Sequence, residues 1–235
     1  MRRILIVAVA VLLSTATAVL YEVVIDGVAL RSLPAIVGVF LAAFSITSYF
    51  AVWTASSLGL PTFLLLSPLP SRHKWTRFAV YGVGVGIAIS LVNSALYHTA
   101  ASTPVRPWYA DNLDSHLDML LLSARAGLLE ETFYRLFAIP FLVSLGMRFY
   151  GWRPRFGFEP ARGEPSPPAP RPSKLMIAGA VILSALLFGF AHRFNPAPAV
   201  AFGLILGLVY LKAGWESAVV AHFLGDYLLF AGIYL

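Results

Sequence analysis

The chain has 235 residues, of which 59% are hydrophobic and only 12% charged, with a formal net charge of +6. A soluble domain usually carries about 25% charged residues, so a water-facing globule is excluded and a surface facing lipid is expected; the mean hydropathy of +0.79 agrees. The absence of cysteine removes disulfides, thiolate metal sites and a cysteine nucleophile. The basic residues stand in short stretches between apolar runs, as the positive-inside bias requires, and no nucleic-acid partner is expected.

A spanning helix needs roughly 20 mostly apolar residues. The first candidate, Ile4 to Leu20, follows Arg2 and Arg3. Its small residues Ser14 to Ala18 also suit a signal-peptide cleavage region, but the apolar run is long for a signal core, and a first transmembrane helix is the expectation. The second span is Leu33 to Thr54. Leu60 to Pro70 is apolar but short and broken by Pro61 and Pro68, so it is expected to lie along the interface. The third span is Phe78 to Tyr97. Next, Asp111, Asp114, Asp118 and Arg125 recur at helical spacing opposite Leu113, Leu117, Leu120 and Ala124, which predicts an amphipathic interfacial helix. It leads into a fourth span, Gly127 to Gly146. Residues 153–174 carry a run of prolines among Arg, Glu and Ser and read as a flexible, extended cytoplasmic loop. Leu175 to Ala191, Ala197 to Leu211 and Ser217 to Leu235 complete the set. The fold class is therefore all-α: a polytopic membrane helix bundle of about seven transmembrane helices plus an amphipathic interfacial helix, forming one domain over 1–235. No internal repeat is visible.

Placing the N-terminus in the cytoplasm puts Arg2, Arg3, Arg72, Lys74, Arg77, Arg148, Arg153, Arg155, Arg162, Arg171, Lys174 and Lys212 inside. Only Arg31, Arg106 and Arg193 then lie outside, so N-terminus in and C-terminus out is expected, in a bacterial inner membrane. All five tryptophans (Trp53, Trp75, Trp108, Trp152 and Trp215) fall at helix ends, where an interfacial aromatic belt forms.

Ionisable groups inside a span cost about 2.5–3.5 kcal/mol each on insertion scales, so their clustering is informative. The fourth span holds Glu130, Glu131 and Arg135, the fifth ends at Phe188 and His192, and the seventh holds His222 and Asp226. Glu131 and Arg135 are four residues apart and can pair on one helix face. Glu130 lies about 100° round from Glu131 and has no intrahelical cation, which leaves it free as a general base. Phe188 and His192 share a face, as do His222 and Asp226, so a carboxylate can orient an imidazole. His73, His98 and His116 stand in or near loops and read as solvated. Each pair alone could be structural glue. Six such residues on three helices of one small protein point instead to a common polar pocket.

These residues form the pattern EExxxR, then FxxxH, then HxxxD, on separate membrane helices in that order. In this the chain resembles the CAAX-processing and bacteriocin-processing intramembrane proteases, which include the type II CAAX prenyl endopeptidases. The resemblance runs from about residue 117 to 235, the expected catalytic core, and includes the Gly-rich run from Phe202 to Tyr210; the first three helices carry no such signature. It implies hydrolysis of a peptide bond in a membrane-associated protein or peptide. It implies further that Glu130 and His192 activate a water, that His222 and Asp226 stabilise the oxyanion, and that Glu131, Arg135 and Phe188 support them. Asp226 departs from the Asn common at this place in the eukaryotic branch, which leaves its role open.

Two Glu and two His could bind zinc. There is no HExxH motif, however, and the His residues lie on different helices, so no obligatory metal is expected. If one is present, Glu131, His192 and His222 are its candidate ligands. The rival readings are a proton-coupled transporter, against which the chain shows no repeated halves, and a catalytically inactive scaffold or immunity protein.

Overall fold

The computed structural model describes residues 2–24, 32–100, 115–149, 171–192 and 196–234, and every regular element among them is helical. Seven continuous helical runs stand where the hydropathy pattern requires them. Helix α1 is Arg2–Val24, and α2 is Leu33–Ser57 with Pro34 in its first turn, where a missing N–H costs nothing. Helix α3 (71–100) begins after Pro70, and α4 covers 116–149. Helices α5 (Lys174–Ala191), α6 (Pro196–Ala213) and α7 (Trp215–Tyr234) follow. Ser115 and Ser173 cap α4 and α5, each hydroxyl accepting a backbone N–H three residues on, from Asp118 and Met176, at 3.2 Å.

Helix α2, residues 71–96 of α3, α5 and α6 are long and apolar enough to cross a membrane, and Val7–Val23 of α1 is a shorter apolar helix. Helices α4 and α7 hold the ionisable residues Glu130, Glu131, Arg135, His222 and Asp226, and His192 follows the end of α5. Large apolar side chains such as Leu12, Ile46, Leu91 and Leu175 point outward and are more than half exposed. A water-soluble protein keeps such patches small; a lipid-facing one requires them. The molecule is an integral membrane protein built as a polytopic helical bundle.

The amphipathic segment leads into the fourth span as one run, α4, starting at His116, and Asp111 and Asp114 lie outside the described residues. Two local expectations change. Leu60 to Pro70 is not simply laid along an interface: Phe63 and Leu64 are buried against the start of α7. There the Trp215 backbone N–H donates to the Thr62 carbonyl at 2.9 Å, and the Glu216 carboxylate accepts from the backbone N–H groups of Leu64 and Leu65 at 2.7 and 3.2 Å. Trp215 therefore leaves the expected aromatic belt. It is buried edge-on to Phe63, ring centres 5.4 Å apart. Most of the proline-rich loop, Trp108 and Trp152 fall outside the described residues.

Lipid tails are as apolar as leucine, so helices in a bilayer associate mainly through close van der Waals approach at small residues. Gly203 of α6 rests against Ala185 of α5, and Gly207 against Val181. At Gly86 of α3 an added Cβ would lie 2.9 Å from the Ala221 carbonyl oxygen of α7. Helix α7 is thereby surrounded by α3, α4 and α6, and residues on it are carried into the centre of the bundle.

Candidate active site

The site begins with a departure from α-geometry. Helix α4 is π-helical over Ala126–Glu130 and again over Thr132–Ala138, with Glu131 at the junction. A π-turn leaves carbonyls without their usual partners and turns side chains to new directions; such turns recur at functional sites. Two hydroxyls take up carbonyls here: Thr132 Oγ1 donates to Leu128 O at 2.6 Å, and Ser184 Oγ of α5 donates to Tyr134 O at 2.7 Å. The second bond also ties α5 to α4 beside the glutamates.

Glu131 and Arg135 are both fully buried, with Nε 3.1 Å from Oε2. This is an ion pair by distance that is not aligned as a hydrogen bond, and the Arg135 Nη atoms have no hydrogen-bond partner among the described residues. The guanidinium lies instead over the rings of Phe188 and Tyr134, at 4.9 and 5.7 Å from their centres, a placement that suits a desolvated cation. The other Glu131 oxygen, Oε1, lies 2.9 Å from His222 Nδ1, and His222 Nε2 lies 3.3 Å from Asp226 Oδ2. An Arg135–Glu131–His222–Asp226 chain thus runs from α4 into α7.

Glu130 turns the other way. Its Oε2 faces His192 Nε2 across 3.7 Å. His192 stands at the C-terminal end of α5, and its Nδ1 lies 2.8 Å from the Phe188 carbonyl. A carbonyl only accepts, so Nδ1–H must donate; in the neutral ring Nε2 then carries the lone pair, on the side of Glu130. The two glutamates are adjacent in sequence but belong to separate pairs.

Phe188 holds the two halves together. It is fully buried, and its ring centre is 4.4 Å from that of His192 and 5.8 Å from that of His222. The two imidazoles, one on α5 and one on α7, are linked through this ring and the Glu pair. Exposure divides the cluster. Side chains of His192, Glu130 and Asp226 are 39%, 20% and 19% exposed, whereas those of His222, Glu131 and Arg135 are 2% or less. Three groups can reach a ligand, and three lie beneath them.

Sequence reasoning missed Tyr134, Ser184 and Phe202, whose ring centre is 5.0 Å from that of His222. An aromatic or a serine within a span gives no signal of its distant partner. For a metal, the set Glu131, His192 and His222 does not fit. Both His222 nitrogens are taken by carboxylates and His192 belongs to the other pair. Among the described residues no three His, Asp or Glu side chains converge as metal ligands.

Residues 112–228, about half of the chain, match the family described as type II CAAX prenyl endopeptidase, Rce1-like. No curated protein matches the chain, and no solved structure does.

Proposed function

Through residues 112–228 the chain belongs to the type II CAAX prenyl endopeptidase Rce1-like family, and on that footing we propose that it is an intramembrane endopeptidase in which Glu130 and His192 activate the attacking water. The observation that carries this reading is the facing pair itself. A gap of 3.7 Å is too long for a direct hydrogen bond but lets one water contact both atoms. That water donates one hydrogen to the Glu130 carboxylate and one to the His192 lone pair, which aims its oxygen lone pair outward.

Attack on the scissile carbonyl forms the C–O bond and passes a proton to this acceptor pair. Collapse of the tetrahedral intermediate breaks the C–N bond, and the same proton goes to the leaving amine. The remaining charges support the assignment. Glu131 faces Arg135, Asp226 faces His222, and Glu130 alone faces no fixed cation. Asp226 is the exposed member of its pair, so in this reading Asp226 meets the carbonyl oxygen and His222 positions it from below. Asp226 donates to the oxyanion only when protonated. If ionised, it makes no favourable contact with the oxyanion and serves by orienting His222.

The substrate in this reading is a membrane-associated protein or peptide, with the bilayer as the other partner and no obligatory metal. In this reading the protein sits in a bacterial inner membrane with its N-terminus in the cytoplasm. The test is Glu130→Gln, which keeps size and polarity but removes a basic oxygen. New protein termini are compared by proteomics between cells carrying wild type and variant, and one identified substrate is then cleaved by both purified proteins. General-base catalysis contributes about 10²–10⁴-fold, and a loss of that order is expected at unchanged melting temperature. Near-wild-type cleavage by Glu130→Gln refutes the assignment. Proton-coupled uptake into liposomes without cleavage would support the transporter reading.

A further inference from the structure

A cavity of about 450 Å³ lies apart from the glutamate–histidine cluster, between the α2–α3 connection and the turn from α6 to α7. One part of its wall is apolar, with Leu60, Phe63 and Leu211; another part holds Ser67, Arg77 and Lys212. This wall is rigid. The Tyr210 hydroxyl donates to the Pro61 carbonyl at 2.5 Å, and the Glu216 carboxylate holds two N–H groups of the same connection. Both described glycines with positive φ, Gly59 (67°) and Gly214 (82°), line it. A Cβ at Gly214 would meet Leu64 N at 2.7 Å, whereas a Cβ at Gly59 would meet nothing within 4 Å. One glycine permits the tight closure of the wall, and the other leaves space open.

The charge is one-sided. Arg77 Nη1 donates to the Lys212 carbonyl at 2.9 Å, which fixes the guanidinium beside the lysine. Lys74 Nζ donates to the Leu65 carbonyl at 3.1 Å, one turn before Arg77 on α3. Glu216, the carboxylate facing this connection, is turned to the backbone. The Ser67 hydroxyl is buried and has no hydrogen-bond partner among the described residues. A preformed, half-apolar cavity at the ends of membrane helices, with two cations and an unused hydroxyl, matches a ligand that is anionic at one end and apolar at the other.

We propose that this cavity binds an anionic phosphate group held between Arg77 and Lys212, as presented by an acidic phospholipid head whose glycerol and first methylenes lie on Leu60, Phe63 and Leu211. Basic pockets between membrane helices take such head groups. Free phosphate offers the same anion without the apolar part.

The experiment uses the full chain in detergent. Native mass spectrometry is titrated with phosphatidylglycerol or phosphatidylcholine, and melting temperature is followed with inorganic phosphate. Wild type is expected to bind phosphatidylglycerol in preference to phosphatidylcholine. Arg77→Gln with Lys212→Gln should weaken that binding about ten-fold or more, as expected for losing two cations near an anionic head. Lys212→Gln alone, the milder change at an exposed position, should weaken it in part, and Arg148→Gln on α4 should not change it. Stabilisation of wild type but not of the double variant by inorganic phosphate would identify free phosphate as the source; an effect of lipid alone would identify the head group. Equal binding of the two lipids, or unchanged phosphatidylglycerol binding in both Lys212 variants, overturns the proposal.

Discussion

Replacing Glu131 by Gln separates the buried half of the cluster from its exposed half. Gln keeps the shape of the side chain and an oxygen that can accept from His222 Nδ1, so that 2.9 Å contact survives. What disappears is the negative charge 3.1 Å from Arg135, at a place where both side chains are fully buried. The Nη atoms of Arg135 have no hydrogen-bond partner to fall back on among the described residues, and its ring contacts with Phe188 and Tyr134 offer only about 2 kcal/mol or so when desolvated. Breaking a buried pair by removing one partner costs roughly 3–5 kcal/mol. For a chain of this size each kcal/mol moves the midpoint by about 2–4 °C, so Glu131→Gln should melt roughly 6–20 °C below wild type in detergent. Removing the cation as well, in Glu131→Gln with Arg135→Met, leaves no uncompensated charge and should recover at least half of the loss. Thermal unfolding of the three proteins in one detergent decides it. A single variant within about 2 °C of wild type, or a double variant no more stable than the single, would show that the pair is not what holds α4 together.

Phe188→Ala removes the ring between the two imidazoles and should cost about 3–5 kcal/mol. Phe188→Leu should restore most of the stability but not cleavage, read from melting and turnover side by side, because Leu cannot reproduce the 4.4 Å ring contact that sets His192. Glu216→Ala strands two backbone N–H groups, about 1–3 kcal/mol for each that is buried. It should expose residues 60–70 to limited proteolysis while cleavage at permissive temperature persists. Gly86→Val forces a side chain against the Ala221 carbonyl, and overpacking of about 1–3 kcal/mol should appear as a lowered melting temperature. Replacing residues 156–172 by a short Gly/Ser linker should leave melting and turnover near wild type, since a proline-rich segment without apolar periodicity buries little; complete loss of activity in a folded protein would make the loop part of the site.

The sequence alone determined that the chain is a membrane bundle, where its helical runs lie, and which helices carry ionisable groups. Each of these follows from local quantities: the length of an apolar run, the cost of a charge within it, and the four-residue spacing of Glu131 with Arg135 or His222 with Asp226. Only the tertiary structure decided which groups face one another and which meet solvent. The ordinary helix step already sets Glu130 and Glu131 about 100° apart; the structure supplies their distant partners, His192 for the one and His222 for the other, and shows the π-turns of α4 on either side of Glu131. The burial of His222 beneath Asp226 follows from α4, α6 and Phe188 closing over it. The inward fold of Phe63 and Trp215 depends on Glu216 meeting N–H groups roughly 150 residues earlier in the chain. Hydropathy reports how much a residue gains by leaving water. It carries no information about which distant group will satisfy a hydrogen bond once it has left, and at this site those distant partners set the chemistry.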